Sequence, residues 1–175
     1  MKQAETPKLA FSVKILVPEI IKKYGMRKTI IASSILFKKL FGPISILNEE
    51  LVKNNIIDTD FSNGIHIADD YFIRYITCET KQKDLVISKI NEALQNRGIS
   101  DEDFDLHKKM YVSSSIRLFS NIESLNESIL EGEIEGNRLS SDFVTARKNF
   151  TKEEYDNIVN EFDLSNISVT YLTKE

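Results

Sequence analysis

Side chains able to do chemistry are few in this chain. Two histidines, His66 and His107, and one cysteine, Cys78, are the only imidazole and thiol groups in 175 residues. A zinc site made by one local motif needs two imidazoles on one helical face, as in H-E-x-x-H or its inverse H-x-x-E-H. Neither spacing occurs, since Asp70 stands four residues after His66 and Tyr111 four after His107. Asp101, Asp103 and Asp105 have the 1, 3, 5 spacing of a calcium loop. Position 6 is then Leu106 where glycine is needed, and position 12 is Val112 where a bidentate glutamate is needed. Those acids suit the first turn of a helix instead, against the positive end of its dipole.

Nucleophiles fare no better. Ser113, Ser114 and Ser115 fall in a helical stretch with no adjacent base, and no G-x-S-x-G elbow occurs. Cys78 lies between Thr77 and Glu79, where a neighbouring acid raises the thiol pKa, and it reads as a buried strand residue. "SNGIH" and "FGPIS" hold single glycines, far short of a phosphate cradle. The expectation is therefore no catalytic, no cofactor-binding and no metal-ligating residue.

The totals agree with a folded domain of ordinary kind. Residues 1–175 read as a single domain, long enough to bury roughly 70% of the unfolded chain's surface around one core. A 41% hydrophobic and 29% charged composition disfavours disorder. The net charge of −4 argues against nucleic acid, because a nucleic-acid surface must neutralise phosphates. No secretory leader is evident, and no apolar stretch is expected to reach the roughly 18 residues that span a bilayer. A cytoplasmic location is the expectation.

The elements that must position these residues follow from periodicity. Residues 8–17 alternate, with Leu9, Phe11, Val13, Ile15 and Val17 on one face of a strand that Pro18 ends. From about Met26 an apolar stripe through Ile30, Ile31, Ile35, Phe37 and Leu40 predicts a helix closed by Gly42 and Pro43, and a second helix runs from about Ser45 to Lys53. "DFSNGIHI" and "YFIRYITCET" predict a hairpin turning at Ala68, Asp69 and Asp70, and the second strand, apolar on both faces, belongs inside the sheet. Residues 82–97 predict a helix capped by a left-handed Gly98. Capping boxes are expected at Ser100 with Asp103, at Ser120 with Glu123, and at Thr151 with Glu154, the last with Phe150 stapled onto Tyr155. The segment 131–141 reads as the loosest part of the chain. Residues 166–172 alternate again and predict a final strand. This order implies an α+β, two-layer sandwich of a small mixed sheet with helices on one face.

Three stretches taken in order, "LFKKLFGPISILNEELVKNNIIDTDFSNG", "YFIRYITCETKQKDLVISKINEAL" and "ISDEDFDLHKKMYVSSSIRLFSNIESLNESI", carry a resemblance. Residues 8–175 resemble the later part of a repeat domain of the pitrilysin/insulinase zinc peptidases, the inverzincins, of the bacterial processing-protease type. The resemblance implies a half domain like those of mitochondrial processing peptidase and insulinase. In that family two similar halves enclose a chamber; the first carries H-x-x-E-H and a distal Glu for zinc, and the second helps hold an extended peptide. This chain resembles the metal-free, C-terminal half of a longer peptidase, with zinc expected only in the partner N-terminal half and a peptide as substrate. Many members place an Arg and later a Tyr along the short helix and the following strand. Val52, Lys53, Ile57 and Asp58 stand there, so no binding residue is carried over. The other expectation is a stand-alone protein-interaction module, or an inactive subunit, with a degenerate peptidase fold.

Overall fold

A computed structural model describes residues 6–68, 70–134 and 143–173. Strand β1 (Lys8–Leu16) turns Leu9, Phe11, Val13 and Ile15 into the core, where each is at most 1% exposed, and leaves Lys8, Ser12 and Lys14 on the opposite face. Pro18 does more than end this strand. It is the first residue of helix α1 (Pro18–Tyr24), which was not expected; its fixed φ and missing N–H suit the first helical position. Gly25, at φ 84°, then turns α1 into α2 (Met26–Phe41) through a backbone conformation that side chains with a Cβ rarely adopt.

Helix α2 is the spine of the helical layer. Every residue from Thr29 to Phe37 is buried, and the helix touches α1, α3, α5, α7 and α8. Contrary to expectation, the stretch Met26–Lys53 is apolar enough over 18 residues to cross a bilayer. The backbone breaks at Gly42–Ser45, and two-thirds of that window is buried inside the protein, which is how a core helix behaves. Helix α3 (Ile46–Lys53) starts where the Ser45 hydroxyl accepts the Asn48 N–H at 3.2 Å. It stops where the Asn54 side-chain amide donates to the Glu50 carbonyl at 2.8 Å and Asn55 takes φ 53°.

The hairpin forms as β2 (Ser62–Ile67) and β3 (Tyr71–Glu79), with the Ala68 N–H on the Tyr71 carbonyl at 3.0 Å; Asp69 lies outside the described residues. Helices α4 (Lys83–Gln95), α5 (Asp101–Leu118), α6 (Ile122–Ile134), α7 (Phe143–Asn149) and α8 (Lys152–Asn160) follow, and β4 (Ile167–Leu172) closes the sheet. Much of the expected loose segment lies outside the described residues, while 131–134 are helical.

The strand order is β2-β3-β1-β4, with β3 inside as its two apolar faces require. Every pairing is antiparallel, so the two-layer α+β class stands while the sheet is not mixed; β4 returns to pair with β1 head to tail, Phe11 opposite Val169. Helices cover one face and leave the other open.

Two caps differ from expectation. Gly98 is not in the left-handed region and α4 ends on Asn96. The carbonyls of Asn96 and Gly98 are taken instead by the Lys39 ammonium reaching over from α2. Asn121, not Ser120, caps α6: its side-chain oxygen accepts the N–H groups of Glu123 and Ser124 at 3.0 and 3.1 Å, while Ser120 donates back to the Arg117 carbonyl. At α8 the full box forms, with Thr151 accepting the Glu154 N–H at 3.2 Å and Glu154 accepting the Thr151 N–H at 3.0 Å. Phe150 and Tyr155 are both buried and both lie against Phe104.

Candidate functional site

The structure keeps the candidate ligands apart. His66 sits on β2 opposite Ile73, on the open face of the sheet. His107 is buried in α5, in the helical layer on the other side. Among the described residues no three His, Cys, Asp or Glu side chains converge, whereas a catalytic zinc takes three protein ligands. The donor set present does not fit a zinc ion.

Cys78 faces the core from β3, and burial pushes its thiol up to about 12, so no thiolate is available at neutral pH. Asp101, Asp103 and Asp105 occupy the first turns of α5. Ser100 caps that helix through the Asp103 N–H at 3.0 Å, and its hydroxyl donates to the Asp103 carboxylate at 2.8 Å. Ser114 and Ser115 both donate to the Tyr111 carbonyl, at 2.8 and 2.7 Å, which ties these hydroxyls to their own helix. No activated nucleophile results.

What the geometry does provide is surface. A cleft of about 330 Å³ opens between the α2–α3 corner and helices α4 and α5, with Leu40, Leu47 and Ala93 inside and Ile44 and Ile46 at its rim. Ile46 is 86% exposed, and the Lys89–Glu50 ion pair, 3.0 Å, spans one wall. His107 lines the far wall, but its Nδ1 is sealed from solvent without a hydrogen-bond partner, and burial lowers its pKa, with Lys38 and Lys39 adding to the effect and Asp103 opposing it. A neutral, sealed imidazole is a poor proton carrier.

The open sheet face is the second surface. It carries Leu16, Tyr75 and Leu172 exposed, with the Lys14 ammonium 4.1 Å from the Tyr71 ring centre. Tyr75 pairs with Gly64 across β2 and β3, and a Cβ on Gly64 would come within 2.2 Å of the tyrosine oxygen. The ring lies in the space that a side chain at this position would enter. Both surfaces can bind apolar or aromatic groups.

Sequence reasoning missed two residues. Asn48, 1% exposed, bridges the corner to the hairpin: its side-chain amide donates to the Pro43 carbonyl at 3.2 Å and to Asp60 at 2.7 Å. Arg74 shares its strand face with Phe72 and Ile76 and is 4% exposed in the core, a burial that the single-face pattern signals. It donates from Nε to the Ser33 hydroxyl at 2.6 Å and from Nη2 to the Ser34 hydroxyl at 2.7 Å.

No family model matches the chain by sequence, and no curated protein does. Solved structures do. A protein from Alicyclobacillus acidocaldarius assigned to the M16-like peptidases superposes at a TM-score of 0.78 with 18% identity, covering 97% of this chain and 41% of its own. The peptidase M16 inactive domain from Pseudomonas fluorescens matches at 0.64 and 14% identity, covering 98% of this chain and 43% of the other. The inactive peptidase domain of a Bordetella parapertussis protein assigned as a zinc protease matches at 0.72 and 10% identity over 99% of this chain and 94% of that one. The chain thus spans about two-fifths of the first two proteins and nearly the whole of the third. At these identities the likeness is one of fold, and it agrees with the motif order read from the sequence: this chain has the fold that an M16-like peptidase and two inactive peptidase domains share.

Proposed function

We propose that this chain is the non-catalytic half of a zinc peptidase: it closes a chamber against a half bearing H-x-x-E-H and helps to hold an extended peptide there. The observation that carries this reading is a half-domain fold whose described residues bring no three metal donors together. The open sheet face, with exposed Leu16, Tyr75 and Leu172, supports it, since apolar and aromatic groups on an uncovered sheet suit contact with a polypeptide. The zinc belongs to the partner half, and the cytoplasm is the proposed compartment.

The test is reconstitution. The chain is mixed with the H-x-x-E-H half encoded beside it or in the same reading frame, and cleavage of unstructured peptides is followed. Peptide hydrolysis that requires both halves supports the proposal. A zinc half equally active alone, and unable to bind this chain, contradicts it.

A second reading has its own observation. Ile116 on α5, Phe119 just after it, and Ile122 and Leu130 on α6 are each at least 50% exposed, apolar surface suited to a protein partner. A stand-alone interaction module would use it, and a reading frame with no H-x-x-E-H half upstream or alongside favours that alternative.

A further inference from the structure

Buried charges in proteins are normally paired, because removing an ion from water costs several kcal/mol unless a counter-charge repays it. Arg74 and Lys38 break this rule together. Arg74 is all but sealed in the core, and its hydrogen-bond partners are two neutral hydroxyls, those of Ser33 and Ser34, with the Phe37 ring 5.4 Å from the guanidinium carbon. Lys38, half-buried one turn along α2, stands 4.9 Å above the ring of Tyr111. Neither forms an ion pair with a carboxylate among the described residues.

More positive charge surrounds them. The Arg147 guanidinium lies 4.2 Å from the centre of the same Tyr111 ring and donates to the Ser115 hydroxyl. Burial is the main reason the Lys38 pKa is lowered, with repulsion from Arg147, Arg74 and Arg117 added. Burial likewise lowers Arg74 to about 10, which leaves it protonated at neutral pH. A chain with a net charge of −4 has thus set cations from β3, α5 and α7 close enough to Lys38 of α2 to lower its pKa.

One donor remains open. Nε and Nη2 of Arg74 are used, while Nη1 makes no hydrogen bond among the described residues. The residue as a whole keeps 4% of its surface exposed. We infer that Arg74 Nη1 and the Lys38 ammonium, beside Tyr111, form a binding site for an oxyanion, a carboxylate or phosphate group that supplies the missing counter-charge. A planar guanidinium and an ammonium are the groups that hold the oxygens of an anionic group, and Arg74 acts electrostatically on Lys38. The site does not depend on the peptidase reading.

The experiment is thermal unfolding of the whole chain, followed by circular dichroism, in sodium chloride against inorganic phosphate and against acetate at matched ionic strength. A saturable rise in Tm with phosphate or acetate is expected, about 3 to 6 °C at ten times Kd. Arg74→Met and Lys38→Met should each abolish the saturable part. Arg74→Met takes a partner from the buried Ser33 and Ser34 hydroxyls, so its circular dichroism spectrum is compared with the native one first, and Lys38→Met, on a half-buried side chain, provides an independent reading. A response to phosphate alone identifies a phosphate group, and a response that includes acetate identifies a carboxylate. No saturable rise with either anion, or the same rise in both variants, overturns the site.

Discussion

The side-chain oxygen of Asn48 accepts the backbone N–H of Phe61 at 2.9 Å, and this bond joins the Phe-Gly corner to the first strand of the hairpin. Asn48 is buried and uses both ends of its amide, also reaching the Pro43 carbonyl and Asp60. The corner at 41–45 is thereby held against the chain that enters β2, and the wall of the cleft is set with it. Removing one partner of a buried polar contact leaves the others unsatisfied, at roughly 1 to 3 kcal/mol.

Asn48→Ala is expected to lower unfolding free energy by about 2 to 3 kcal/mol in urea titrations, with Phe61 losing amide-exchange protection. An effect under about 0.5 kcal/mol would mean that the corner holds without it.

Gly64 and Tyr75 should be coupled. Gly64→Ala puts a Cβ where the exposed Tyr75 ring lies, so the ring must swing aside, and the gain of roughly 0.5 to 1 kcal/mol that Ala brings over Gly in a strand should be smaller in the native than in a Tyr75→Ala background. A double-mutant cycle measures the difference directly, and additive effects would contradict the ring's placement over the glycine.

Thr151→Ala removes the hydroxyl that opens α8, and about 1 kcal/mol is expected from the loss. Glu154 depends on the same cap: burial alone would raise its pKa, but hydrogen bonds from Lys28 and Thr151 outweigh burial and lower it. Ser120→Ala, by contrast, should cost little, because Asn121 is the cap of α6. Urea midpoints at pH 7 compare the two.

His107 gives a pH signature. Burial lowers its folded pKa below the ordinary 6.5, so just under pH 6.5 the unfolded chain binds the proton that the folded chain refuses. Its contribution to stability is present above 6.5 and is lost as pH falls from 6.5 through the depressed folded value. The charged groups acting on it are Asp103 on α5 and Lys38 and Lys39 from α2. His107→Leu should flatten the stability profile between pH 7 and 5, as measured by urea midpoints; an unchanged slope would assign the acid sensitivity elsewhere.

Cys78 should be inert. Raising a thiol from its ordinary 9.0 to about 12 cuts the thiolate fraction about a thousand-fold at pH 8, and burial adds a steric barrier. Reaction with a chromogenic disulfide reagent should therefore proceed only at the unfolding rate, and rapid native labelling would contradict the placement of this strand.

Much of the fold was legible because periodicity and caps are local. The alternation from Leu9 to Ile15 placed β1, the two apolar faces of residues 71–78 put β3 inside, and the pair Thr151 and Glu154 fixed the start of α8. Where the sequence misled, a distant residue had taken a local role. Lys39, far from α4 in the chain, takes the carbonyls of Asn96 and Gly98 just past that helix, and no window around Gly98 contains that information. Pro18 can end a strand or begin a helix, and the path back over the sheet decides between them. At the candidate site, the roles of Asn48 and Arg74 depend on partners up to 41 residues away in the chain, which no local window contains.

The most direct test of the central claim is to measure zinc content and peptide hydrolysis on the same purified sample. A non-catalytic half predicts substoichiometric, loosely held zinc and no cleavage of unstructured peptides above the buffer rate. One tightly bound zinc per chain, with hydrolysis that a chelator stops, would contradict it.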